Sequence, residues 1–155
     1  MENTVTALLN GPLELALRIM IVVDEQPEGA WTVDDLLVLD HMAVHSADFD
    51  GPPSLHPPFP LRSADIGARR SSLRHAVELL VHRHLFDTEL GESGIAFRAG
   101  DEVHSVAGLL ESPYAKDLRV RARWIRSLEG GPADAAVEVR IRQIVEAWSE
   151  DSVGS

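Results

Sequence analysis

Apolar positions recur at helical spacing in six stretches of the chain, set apart by polar breaks. "NGPLELALRIMIVVDEQ" opens on Asn10 as a helix cap with Pro12 in the first turn. Leu13, Leu17 and Met20 fall on one face, and Leu15, Ile19, Val22 and Val23 widen the apolar surface. The pattern predicts a helix buried on most sides. "QPEGAW" breaks it through Pro27 and Gly29. In "TVDDLLVLDHMAVHS", Thr32 caps a second helix, and Asp34 and Asp35 lie where the helix dipole favours anions. Leu36, Leu39, Met42 and Ala43 make its seam.

A third helical region begins at Ser63, with Ile66, Leu73, Val77 and Leu80 in register. Gly67 and the pair Ser71–Ser72 weaken its middle, so it reads as one helix or as two joined by a turn. In "LFDTELGESGIAFRAG" the period changes to two. Phe86, Thr88 and Leu90 precede the turn residues "GESG", with Ile95 and Phe97 after them, which predicts a β-hairpin. "DEVHSVAGLLES" reads as a short helix. "SPYAKDLRVRARWIRSL" begins cleanly at Ser112 and Pro113, with Tyr114, Leu118, Ala122 and Ile125 inward. A last helix is expected over "ADAAVEVRIRQIVEAWSE", followed by a frayed end. The expected fold is mainly α with a small β-hairpin. Three helices followed by a hairpin is the order of a winged helix-turn-helix unit, here with C-terminal helices added. The division expected is a winged-helix-like domain over 8–128 and a C-terminal helix and tail over 129–155.

Between the second and third helices lies "SADFDGPPSLHPPFPLRS", with five of the chain's nine prolines. A connection this long inside a compact domain is functional or disordered as a rule. Proline fixes backbone angles and lowers the entropy of the free segment, and Leu55, Phe59 and Leu61 are residues that disordered compositions lack. The loop is therefore expected to be ordered. As a stiffened, outward-facing handle for other subunits it would offer Leu55, His56, Phe59, Leu61 and Arg62 at little entropic cost.

Charge narrows the function classes. The net charge of −11 argues against a protein that binds nucleic acid over its whole surface. It is unevenly spread: residues 1–60 carry Arg18 alone against ten acids, and residues 62–126 carry eleven basic side chains against nine acids. Arg69, Arg70 and Arg74, with Arg98 on the hairpin, form the candidate contact set for nucleic acid or a protein partner. Glu78, Glu89 and Glu92 interrupt it, which favours a protein partner. "RVRARWIR" reads as a solvated face or as a dock for an acidic surface, including the acidic half of a second copy.

No reactive constellation emerges. With no cysteine, thiolate chemistry and disulfides are excluded. His41 and His45 have the i, i+4 spacing of metal ligands, but Met42 stands where a zincin carries its glutamate, and no third ligand is evident. His82 and His84 suit the end of a helix dipole. There is no nucleophile elbow, phosphate loop or dinucleotide fingerprint. No catalytic residue, metal or cofactor is expected. The longest apolar run, "LALRIMIVV", is too short for a membrane span, and no signal-peptide pattern precedes it, so a cytoplasmic protein is expected.

The stretches "LLNGPLELALRIMIVVD", "LLVLDHMAVHSADFDGPPSLHPPFPLRS", "ESGIAFRAG" and "LLESPYAKDLRVRARWI" resemble the middle component of bacterial three-component ABC-ATPase conflict systems. The likeness covers roughly residues 8–128, and "GPPSLHPP" and "ESPYA" are its most specific parts. The resemblance implies a non-enzymatic small subunit of an antiphage or anti-plasmid defence complex, in the circle of the Lamassu systems. Such a subunit bridges an SMC- or RecN-like ABC ATPase and an effector such as a nuclease, and keeps that effector silent until foreign DNA is sensed. DNA contact would then be indirect, through the complex. A homodimer is also compatible with the charge asymmetry. The competing reading is a winged-helix transcriptional regulator that binds duplex DNA; a metalloenzyme built on His41 and His45 stands third.

Overall fold

The structure, a computed structural model, describes residues 11–57, 63–92 and 94–128. They form a mainly helical fold with a small antiparallel sheet, in the order α1 (Pro12–Asp24), β1 (Ala30–Trp31), α2 (Val33–Val44), α3 (Ser63–His82), β2 (Phe86–Gly91), β3 (Gly94–Ala99), α4 (Val103–Gly108) and α5 (Pro113–Ser127). A 3-10 turn over Ser46–Phe49 follows α2.

Helix α1 is the axis of the core and packs against α2, α3, α4 and α5. Leu15, Ala16, Ile19, Met20, Ile21, Val22 and Val23 are all buried, as expected of a helix apolar on most sides. Gly11 is its cap residue, with Pro12 at the first position, where the missing N–H costs nothing; the expected cap Asn10 lies outside the described residues. Thr32 caps α2 as expected. Its hydroxyl accepts from Asp35 N at 3.1 Å and the Asp35 carboxylate accepts from Thr32 N at 3.0 Å, a reciprocal capping box.

Helix α3 is continuous across Gly67 and the two serines, which resolves the one-or-two-helix alternative. Leu73, Ala76, Val77 and Leu80 are buried along one stripe. Burying each of the larger three stabilises by about 1.5–3 kcal/mol, which outweighs roughly 1 kcal/mol for a glycine inside a helix. The helix ends in a Schellman-type turn: Leu85 N donates to Leu80 O at 2.9 Å and His84 N to Val81 O at 3.0 Å. His84 itself takes the left-handed conformation (φ 61°), the position glycine usually fills.

The hairpin follows as expected, with Gly91 paired to Gly94 and Gly94 at φ 107°, a backbone angle side-chain-bearing residues avoid. Phe86 and Phe97 anchor it to the core. The stretch expected only as a break contributes a strand: Ala30 and Trp31 pair with Arg98 and Phe97, so the sheet has three strands in the order β1-β3-β2. Helix α5 starts as expected, with Ser112 Oγ accepting from Ala115 N at 3.1 Å and Leu118, Ala122 and Ile125 wholly buried. The helix expected over 133–150 lies outside the described residues. No described helix is long and apolar enough to cross a membrane.

Candidate partner-binding site

The proline loop is organised from α2 and clamped from α5. Val44 O, at the end of α2, accepts from both Leu55 N (3.0 Å) and His56 N (3.1 Å), which folds the loop back on the helix it leaves. Within it, Asp50 takes the left-handed conformation (φ 61°) and ends the 3-10 turn. Proline carbonyls accept hydrogen bonds while their nitrogens donate none, so donors must come from elsewhere. Ser46 Oγ donates to Pro52 O at 2.8 Å, and Arg121 of α5 donates to Pro53 O through Nη2 (2.7 Å) and Nε (3.1 Å). Gly51 lies under the indole of Trp124. A Cβ at that position would sit 2.4 Å from the ring carbon Cζ2, so only glycine allows this approach.

Beneath the loop is a buried polar cluster. Arg18, 3% exposed, meets Asp40, 5% exposed, through Nε–Oδ1 (2.5 Å) and Nη2–Oδ2 (3.0 Å). Burial alone would lower the arginine's affinity for its proton and raise the carboxyl's. Each partner's opposite charge reverses that, so Arg18 is raised and Asp40 is held below its ordinary value. The Tyr114 hydroxyl approaches the same guanidinium and lies 2.8 Å from His56 Nε2. His41, His45, His56 and Phe49 complete the group. The rings of His41 and His45 lie 4.8 Å apart, those of His45 and His56 6.2 Å, and those of His41 and Phe49 5.9 Å.

All three histidines are held neutral at pH 7. Burial pushes His41 down to about 3, with the neighbouring His45 and Arg69 adding to it. Burial and the Arg18 charge push His56 down to about 4. His45 is lowered by burial and by Arg69. Among the described residues no group of three or more His, Asp or Glu is arranged to hold a metal ion, and the His41–His45 pair packs under the loop.

The expected contact residues fall into separate places. Leu55 is half-buried against the core and His56 is 7% exposed. The expectation of outward anchors at these two positions is therefore corrected in the chain alone: the Val44 carbonyl and the Tyr114 hydroxyl hold them inward. Asp48, Asp50, Pro53 and Pro57 are what the loop turns outward. Phe59, Leu61 and Arg62 lie outside the described residues. Arg69 is half-buried at the edge of the cluster, where its charge acts on Asp40, His41, His45 and His56. Arg70 pairs with Asp34 at 2.8 Å, Arg98 pairs with Glu89 at 3.2 Å, and Arg74 is exposed.

The α5 arginines are largely tethers within the chain. Arg121 holds the loop, Arg123 pairs with Glu25 at 3.2 Å, and Arg119 donates to Ala107 O. Of these features, Arg18 gave a signal in the sequence as a lone cation inside an apolar run. Tyr114, Arg121 and Trp124 gave none, because their role depends on a loop more than fifty residues away.

The family model described as the ABC-three component (ABC-3C) system Middle Component 2 matches residues 8–151, past residue 128 at which the resemblance read from the sequence stops. No curated protein and no solved structure matches the chain.

Proposed function

The chain belongs to the middle component 2 family of ABC-three component systems, and from that premise we propose that it is a non-catalytic assembly subunit that bridges the system's ABC ATPase and its effector and regulates the effector. Membership in an ABC-three component system implies partner components, and it supports an ABC ATPase as one of them. On this reading the ATPase is SMC-like, the system is a Lamassu-type antiphage defence, and the protein acts in the cytoplasm.

We read the unit α1-β1-α2-α3-β2-β3, with strand order β1-β3-β2, as a winged helix used for protein contact. The observation that carries this is the state of its charged face. Two of the four arginines expected to meet a partner or nucleic acid, Arg70 and Arg98, are already paired with carboxylates of the chain itself. Over residues 63–99, five arginines are equalled in number by Asp65, Glu78, Asp87, Glu89 and Glu92. Phosphate binding draws its affinity from unpaired cations that displace counterions, and this face offers few. A non-catalytic role fits the neutral, inward-facing histidines.

The test is co-expression with the ABC ATPase and effector of the same system, followed by affinity purification and a duplex-binding titration of the isolated chain. A stable complex that contains all three components, with no salt-dependent duplex binding by this chain, is the expected result. Duplex binding at low salt that weakens on replacement of Arg69, Arg70 and Arg74 would replace this reading with that of a DNA-binding regulator.

A further inference from the structure

The hairpin ends in a surface that the other described residues leave uncovered. Leu90 and Ile95 are directly paired across the two strands near the turn, and they are 87% and 62% exposed. They continue the face on which Phe86 and Phe97 enter the core, since side chains two apart on a strand share a face. Thr88 lies between them on the same face and is also exposed. The opposite face carries Asp87 and Glu89, with Arg98 bonded to Glu89. Glu92 adds a further carboxylate at the turn.

Among the described residues strand β2 is also an open edge, because the sheet order is β1-β3-β2. The register says which of its backbone groups are free. In an antiparallel pair, residues that exchange hydrogen bonds alternate with residues that do not, and the pair flanking a two-residue turn exchanges them. Gly91–Gly94 is that pair, and Gly100 N donates to Leu85 O at 2.8 Å, six positions before Gly91 and just ahead of β2. The odd-numbered residues 85, 87, 89 and 91 are thus bonded to β3. The N–H and C=O groups of Thr88 and Leu90 point to the open side.

We infer that the β2 edge receives an extended segment of the ABC component as a fourth strand, with apolar side chains beside Leu90 and Ile95 and lysine or arginine beside Asp87, since Glu89 is already bonded to Arg98. The inference rests on the assembly-subunit reading above and names one contact of it. Strand addition draws affinity from the main chain and specificity from alternate side chains. The charge pattern selects the occupant. A second copy of this chain, paired antiparallel through β2 with like faces aligned, would set Asp87 opposite Glu89, and like charges directly opposite destabilise a sheet. A basic, alternating segment meets Asp87 as a partner and leaves the Arg98–Glu89 pair in place.

Substitution at Thr88 tests the edge without breaking the hairpin, since proline removes only an outward N–H there and is tolerated on edge strands. The full chain would be co-expressed with the ABC component of its own system. Thr88→Pro and the double change Asp87→Lys, Glu89→Lys are each expected to lower co-purification at least tenfold, with Glu111→Lys as the exposed charge control at wild-type level. Hydrogen exchange at the Thr88 and Leu90 amides should slow in the wild-type complex. Wild-type recovery of both variants, or unchanged exchange at β2 in an intact complex, overturns the edge contact and leaves the assembly role standing. Loss of the complex in wild type too is a failure of the assembly role instead.

A second arm needs no partner. The synthetic peptide Lys-Val-Lys-Ile-Lys-Val-Lys should shift the Thr88 and Leu90 amide resonances, and Glu-Val-Glu-Ile-Glu-Val-Glu should not. Equal effects of the two peptides, or shifts confined to other elements, count against the inference, as does concentration-dependent self-association that Thr88→Pro abolishes.

Discussion

The loop after α2 and the hairpin after α3 treat polarity in opposite ways. Under the loop, an arginine, an aspartate and three histidines are enclosed, with Arg18 bonded to Asp40 and His56 to Tyr114. At the hairpin tip, leucine and isoleucine stand in solvent, and one row of backbone groups has no neighbouring strand among the described residues. A buried ion pair is costly to break, because the survivor keeps its charge without a partner. Exposed apolar side chains hold nothing in place, so their loss costs the fold little. The first region spends its chemistry on holding the loop to α5, and the second keeps its chemistry available.

This contrast sets an order of expected effects. Asp40→Ala should be the most damaging change, at about 3–5 kcal/mol, because it strands the Arg18 guanidinium in the core. Denaturant unfolding would measure it, and a loss under about 1 kcal/mol would mean that water reaches the pair. Acid comes next. His41 and His56 bind protons more weakly in the folded chain than in the unfolded one, so the unfolded state takes up more protons below about pH 6.5. The contribution of keeping them neutral is fully present above that pH and is lost as pH falls toward about 4 for His56 and about 3 for His41. Each histidine accounts for up to about 1.4 kcal/mol per pH unit. Unfolding curves from pH 7 to pH 5 should show the decline, and His56→Asn should flatten it.

Smaller effects follow. Gly51→Ala forces a methyl into the Trp124 indole and should cost about 1–3 kcal/mol; the paired change Trp124→Leu should recover part of it. At the other extreme, Leu90→Thr and Ile95→Thr should change stability by about 0.5 kcal/mol or less while weakening capture of the ABC component. Equal losses of stability and binding would place the tip in the core and erase the distinction between the two regions.

The sequence made the local signals legible. Thr32 and Ser112 announce their helices through capping, the stripe from Leu73 to Leu80 announces α3, and the paired glycines announce the hairpin turn. What it concealed depends on distant partners. Strand β1 is two residues long and exists because β3, more than sixty residues later, lies beside it. Continuity of α3 through Gly67 is decided by packing and not by propensity. At the candidate site, the apolar residues of the proline loop pointed to packing, and Leu55 does pack against the core. The direction in which it faces was not, since Tyr114, Arg121 and Trp124 settle it from α5. An apolar residue in a loop reads equally well as an anchor for a stranger or as a plug for its own core.

The grip of α5 on the loop has a consequence for how this protein can be divided. A chain shortened before Pro113 would lose the tyrosine under His56, the guanidinium on Pro53 and the ring over Gly51 in a single cut. The helix-and-hairpin unit is therefore no detachable module with a trailing helix, and any graft or fragment meant to stand alone must carry α5 with it.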